Sequence, residues 1–204
     1  MKTPTKMTRI LLTITIIITT CLSIHGQALT FAEEINLSEG EIQIFIKRTS
    51  QKIDEFQEYI IILASKEETR DRKDMAEKSA LKLFYPGAII KITTTDAQGS
   101  KKEVVRKISE YLYRLKILPF KKVVIDFYDI AYVTTFKKGP DGKYYGTATI
   151  FQKFTGFQGD NMVYESVTKK EIEVILENVE DEFYGEKRWK IFLGDIKATE
   201  TTNS

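Results

Sequence analysis

Cys21 and His25 are the chain's only cysteine and only histidine. A thiol near an imidazole suits nucleophilic catalysis or metal ligation. Both, however, lie in TTCLSIHGQALT, directly behind a segment built for another purpose. Lys2, Lys6 and Arg9 precede the apolar run ILLTITIIITT, and small or weakly polar residues follow. A basic start, a short apolar centre and a small-residue cleavage zone make the plan of a secretory signal peptide. The run is short against the ~20 apolar residues of a membrane span. Cleavage after Gly26 or Ala28 removes both reactive side chains and sends the chain to a periplasmic or extracellular space. Two alternatives compete with that reading. No charge falls between Arg9 and Glu33, as in an uncleaved anchor, and Cys21 is a lipid-attachment candidate that would make the protein a lipoprotein of the envelope. Thr20 fits the second poorly, because a lipobox prefers Gly, Ala or Ser before its cysteine.

Loss of residues 1–26 leaves 178 residues without histidine or thiol, which excludes Ser-His-Asp triads, cysteine nucleophiles and ordinary zinc sites. No G-x-x-x-x-G-K-[ST] or G-x-G-x-x-G follows a strand pattern, so no nucleotide phosphate cradle is expected. GPDGK (139–143) and VEDEFYGE (179–186) carry acids without the spacing of a calcium loop and read as turns. We expect no metal and no cofactor. Charge excludes a further class. The 31 Lys and Arg fall to 28 once Lys2, Lys6 and Arg9 are gone, against 29 acids, so the footprint of a nucleic-acid binder is lacking.

What remains is carboxylate, phenol and aromatic chemistry. Asp126, Tyr128 and Tyr132 recur at even spacing in VVIDFYDIAYVTTF (123–136), which would set a base and two phenols on one face of a strand. The bland alternative is an outward acid beside amphipathic tyrosines. Asp126 and Asp195 are the candidates for a carboxylate pair of the glycosidase kind. Aromatics crowd the second half, and most belong to the core. Tyr128, Tyr132, Phe157, Trp189 and Asp195 are the binding candidates, Phe157 as an exposed anchor between two glycines in the loop TGFQGDN (155–161).

The elements that must position these residues fall into two halves. Ser38 and Glu41 form a capping-box pattern, and Ile42, Phe45, Ile46, Thr49, Ile53, Phe56, Ile60 and Leu63 then recur at helical spacing. The charged KEETRDRKD (66–74) reads as a solvated turn or helix surface. A second helix carries Ala76, Ala80, Leu83 and Phe84 on one face and stops at Pro86-Gly87. AIIKITTT (88–95) alternates as a strand, and DAQG turns. Ser100 and Glu103 repeat the cap pattern, predicting a third helix with Val104, Val105, Ile108, Leu112 and Leu115 inward, ended by Pro119. Long strands then follow one another over 123–136, 144–154, 162–177 and 189–199, the first pair joined by the hairpin KKGPDGK. Helices first and consecutive strands after them argue α+β: three N-terminal helices on a curved antiparallel sheet. The expected division is a signal peptide at 1–26, a lead-in at 27–37, a single α+β domain at 38–199 and a disordered tail at 200–204.

This order resembles the nuclear-transport-factor-2-like superfamily. The resemblance is carried by LKLFYPGAIIKI, a helix running into the first strand, and by the closing strand WKIFLGDIK. It implies a cone-shaped sheet, often with a cavity, and homodimerisation through that sheet. Relatives include isomerases, dehydratases, cyclases and many proteins without catalysis. Enzymes of the superfamily that use a His–Asp pair have no counterpart in a histidine-free chain. Those resembling ketosteroid isomerase pair a carboxylate base with a tyrosine-containing oxyanion hole, and Asp126, Tyr128 and Tyr132 would stand there. The expectation is an exported, non-catalytic module that binds a small molecule or a protein partner. An isomerase- or dehydratase-like enzyme and an envelope structural component are the alternatives.

Overall fold

A computed structural model describes residues 36–95, 99–180, 185 and 187–202, with backbone alone at 94–95, 128–132 and 200–202. The chain divides into two units, 1–36 and 37–204, and the second is described below. The signal-peptide segment lies outside the described residues.

Helix α1, Glu39–Ala64, begins where the cap pattern places it. The Ser38 hydroxyl accepts from the Glu41 N–H at 3.3 Å, and the Glu41 carboxylate accepts from the Ser38 N–H at 2.8 Å. Two of the four donors left bare at a helix start are thereby satisfied. Phe45, Thr49, Ile53, Phe56, Ile60 and Leu63 form its buried stripe. The Thr49 hydroxyl donates to the Phe45 carbonyl at 2.8 Å, so this polar group enters the core with a partner.

Helix α2, Arg70–Leu83, starts inside the charged run, capped by Thr69, and buries Lys73, Ala76, Ala80 and Leu83. Pro86 and Gly87, the latter at φ 86°, end this segment. Strand β1, Ile89–Thr95, follows.

Strand β2, Lys101–Lys107, overturns the expected start of the third helix. It pairs antiparallel with β1 from Thr95↔Lys101 to Ile89↔Lys107. Val105 is exposed on this strand rather than inward on a helix. The physical reason is the open edge of β1, whose N–H and C=O groups need partners; a β-branched run one turn away supplies them. The Ser100/Glu103 spacing matches a capping box only by composition. Helix α3, Ile108–Lys116, begins after the hairpin without a side-chain cap, and Ile108, Leu112 and Leu115 are buried as expected.

The long strands are β3 (Lys122–Val133), β5 (Tyr144–Gln158), β6 (Asn161–Glu180) and β7 (Lys187–Thr202), with a short β4 (Lys137–Lys138) alongside the start of β5. Several outrun the sequence expectation. The turn between β5 and β6 is only Gly159-Asp160, with Gly159 at φ 66°, the left-handed conformation a two-residue hairpin demands. Residues 200–202, expected as disordered tail, continue β7 and pair through Thr202 with Ser166. A free β6 edge explains that extension as well.

Sheet order is β2-β1-β7-β6-β5-β3. The sheet is mixed rather than wholly antiparallel, because β1 runs parallel to β7 through Ile90↔Ile196 and its neighbours. Consecutive hairpins leave the outer side of β7 unpaired, and the local pattern of β1 specifies alternation but no direction. Register shifts in β3 against β5, in β5 against β6 and in β6 against β7 bend the sheet. Three helices and the inner face of this open, curved seven-stranded sheet enclose one core. The outer face carries ion pairs such as Lys153–Glu165 at 2.9 Å and Lys169–Glu171 at 2.7 Å. No helix among the described residues is long and apolar enough to cross a membrane.

Lys116, at the end of α3, donates to Asp74 and, at 2.8 Å, to Glu77, joining α3 to α2. The hydrogen bond from Lys116 holds the Asp74 carboxyl below its ordinary value. A depressed carboxyl stabilises the fold above the unfolded value, ~3.9, and that contribution is lost as pH falls through the folded value. The urea midpoint of Lys116→Met is therefore expected to lie below that of the parent at pH 6 and to converge on it by pH 2. A gap that stays constant down to pH 2 would show that the bridge adds nothing.

Candidate functional site

On β5 and β6 the inward positions change character along the strands. Ile172, Val174 and Leu176 give way to Lys170, Thr168 and Ser166, and Ile150 gives way to Gln152 and Phe154. The pairs Ile150↔Lys170, Gln152↔Thr168 and Phe154↔Ser166 set these side chains side by side. Gln152, Ser166, Thr168 and Lys170 are all buried. Helix α3 contributes Tyr111 and Leu115, and the segment after it contributes Leu118 and Phe120. Together with Ile90, Ile92 and Ala198 these residues line a solvent-open hollow of about 270 Å³.

One wall of the hollow is polar. Lys170, only 3% exposed, donates to the Gln152 side-chain oxygen and to the Tyr111 hydroxyl oxygen at 3.0 Å. Its ammonium also lies 5.2 Å from the Tyr111 ring centre and 5.9 Å from that of Phe127. The opposite wall is aliphatic and aromatic. Phe120, Phe154 and Tyr164 form a ring cluster with each pair of centres 5.8 Å apart. Gly156 is what allows Phe120 to sit there, since a Cβ at that position would come within 2.6 Å of the Phe120 ring.

A larger hollow, about 650 Å³, lies where Glu171, Glu173, Asp195 and Lys197 meet Tyr145 and Thr147. Its charges are of both signs and its strands' apolar side chains face the other way, so it resembles ordinary solvated sheet surface. The smaller, more apolar hollow is the better candidate.

The residues singled out from the sequence are scattered. Asp126 is exposed between inward-packed Ile125 and Phe127, and its strand partner is Lys153. The side chains of Tyr128 and Tyr132 lie outside the described residues; their backbones pair with Phe151 and Thr149, with register shifts on either side of Ile130. Even spacing on this strand therefore does not mean uninterrupted alternation. Phe157 is half-buried within β5, not in a loop, with the Lys122 ammonium 5.5 Å from its ring centre. Trp189 packs edge-on to Tyr144 at 5.4 Å, and the Tyr144 hydroxyl accepts from the Leu37 N–H at 3.0 Å. Asp195 accepts from the Ile89 N–H at 2.9 Å, tying a β7 irregularity to β1. Asp126 and Asp195 stand on strands three positions apart in the sheet. At ~4.8 Å per strand and ~3.3 Å per residue they are on the order of 25 Å apart, too far for a glycosidase pair.

Lys170 escaped the sequence reading, although its signal was present. It shares the parity of Ile172, Val174 and Leu176, so period-two alternation alone assigns it to the inner face.

No protein-family model matches the chain, and no curated protein matches it. Among solved structures, the chain is similar to an NTF2-like protein of unknown function from Shewanella baltica. The similarity covers 82% of this chain and 100% of that one, at 10% identity and a TM-score of 0.40.

Proposed function

We propose that this chain is an exported, non-catalytic binding module of nuclear-transport-factor-2-like architecture, and that the hollow beneath α3 takes a small, mainly apolar molecule. The observation that carries this reading is the lining of the hollow. A concave, mainly apolar surface with a few polar groups is the form of a small-molecule site. This solvent-open hollow of about 270 Å³ sets Leu115, Leu118, Phe120 and Phe154 against a polar wall of Lys170 and Gln152. Binding is favoured over catalysis because the described lining offers no carboxylate, imidazole or thiol, and its Lys170 ammonium and Tyr111 hydroxyl are hydrogen-bonded to each other with no base beside them to activate either. Asp126, the base of the enzyme alternative, points away from the core. Export rests on Lys2, Lys6 and Arg9 ahead of ILLTITIIITT.

The test uses 1-octanol as an apolar probe against the ¹⁵N-labelled full-length chain. Chemical-shift changes are expected at Tyr111, Leu115, Phe120, Phe154 and Ala198, saturating with dose. Absence of change there, or change confined to the outer face around Glu171 and Asp195, would sink the pocket reading. For export, the protein recovered from its native host is expected to begin at Gln27 or Leu29 by intact mass; retention of Met1 would refute cleavage.

A further inference from the structure

We propose that the hollow is built for a small monocarboxylate with an apolar body, whose charged head is gripped by Lys170 and Tyr111. This inference rests on the pocket reading above and specifies its ligand. Three observations lead to it.

The first concerns charge. The Lys170 ammonium is buried, and its polar partners among the described residues are the neutral oxygens of Gln152 and Tyr111. Two partly covered lysines are treated differently: Lys116 meets Asp74 and Glu77, and Lys143 meets Asp141 at 3.2 Å and Glu177 at 3.6 Å. Lys73, buried on α2, shows no ion pair among the described residues, but it lines a separate hollow that holds Glu68 and Asp74. No carboxylate among the described residues comes within ion-pair distance of Lys170. Burying a charge costs free energy unless it is paired, and here the pairing charge is left to whatever enters the hollow.

The second concerns donors. An ammonium has three N–H groups; Gln152 and Tyr111 accept two, and the third remains for a ligand. Because the Tyr111 oxygen accepts from Lys170, its own O–H remains to donate. The ammonium and the phenol, held side by side by their hydrogen bond, thus offer one charged and one neutral donor, enough for the two oxygens of a carboxylate. The other polar groups of the lining, Gln152, Tyr164, Ser166 and Thr168, are neutral. A phosphate monoester, with its larger charge and third oxygen, would call for a cluster of cations. The lining holds one.

The third concerns size and polarity. Apart from the hydroxyls of Tyr164, Ser166 and Thr168, the rest of the lining is mainly Ile90, Ile92, Leu115, Leu118, Phe120 and Phe154, which offer apolar contact and no hydrogen bond from their side chains. At water's share of ~30 Å³ per non-hydrogen atom, the volume holds roughly nine such atoms. Octanoate, an eight-carbon carboxylate, is of that size.

The experiment compares octanoate with 1-octanol on the full-length chain by shift titration, in the parent, Lys170→Met, Lys170→Arg and Tyr111→Phe. Octanoate is expected to bind tighter than octanol by about tenfold or more, the scale of a charge-assisted hydrogen bond. In Lys170→Met that preference is expected to vanish while octanol still binds. Lys170→Arg should retain it and Tyr111→Phe should lose part of it, so the test survives if the methionine variant fails to fold. Equal affinity for the two probes in the parent, or a preference undiminished in Lys170→Met, overturns the proposal and leaves the pocket reading standing. Binding of neither probe overturns both.

Discussion

Replacing Phe56 with alanine is expected to lower the melting temperature by about 10 °C. Phe56 has no exposed surface and sits mid-stripe on α1. Its ring meets that of Phe84 edge-on at 5.0 Å. Phe84 closes α2 and bridges to Leu193, and the Tyr85 N–H donates to the Leu193 carbonyl at 2.7 Å. One aromatic pair thus joins both long helices to the middle of the sheet. Truncating a buried phenylalanine costs about 3–5 kcal/mol, part of it for the cavity left behind. For a domain of this length each kcal/mol moves the melting temperature by about 2–4 °C. Met75→Ala, at a side chain 70% exposed on α2, serves as the contrast and should move it by less than about 2 °C. Equal effects at the two sites, read by circular dichroism, would mean that the helices are not seated on the sheet through Phe56.

The second large effect belongs to the polar wall. Gln152→Leu keeps the side chain's bulk but removes the oxygen that accepts from Lys170. A buried charged donor that loses its acceptor costs about 2–3 kcal/mol. Adding Lys170→Met should recover most of that loss, because replacing both members of a buried polar pair by apolar groups of similar volume is close to neutral. Urea unfolding of the parent, both single variants and the double variant closes the cycle. A coupling above about 1 kcal/mol is expected, whereas additivity would place the ammonium in solvent instead of against Gln152. If the carboxylate reading holds, the double variant is folded and still takes octanol, yet no longer prefers octanoate. Stability and selectivity then separate. The lysine would be retained at a cost to the core because the ligand needs it.

How much of this was legible in the sequence varies with the range of the interaction responsible. The α1 cap is a contact between Ser38 and Glu41, three residues apart, and its stripe is a 3.6-residue period, so both could be read directly. The same cap pattern at Ser100 and Glu103 misled, because the edge of β1 competes for the backbone of Lys101–Lys107 and wins. Strand ends beyond 154 and 199 depend on how far a partner strand continues. Phe157 illustrates the consequence: glycines around it suggest a loop, while pairing with Lys122 and Met162 makes it part of β5. Of the candidate site, the aromatic supply of the strand half was visible, but the residues that meet at the hollow come from β1, α3, β5, β6 and β7.

By itself the sequence determined that the chain past residue 26 has neither histidine nor cysteine, that helices precede long strands, and that Lys170 shares a strand face with Ile172 and Val174. Those follow from composition and from periods set by backbone geometry. The tertiary structure decided that β1 lies parallel to β7, that Asp126 and Asp195 stand far apart, and that Lys170 meets two neutral oxygens and no carboxylate. The reason is that a strand's own residues specify which side chains share a face, whereas the neighbours across that face are brought there by folding of segments up to a hundred residues away.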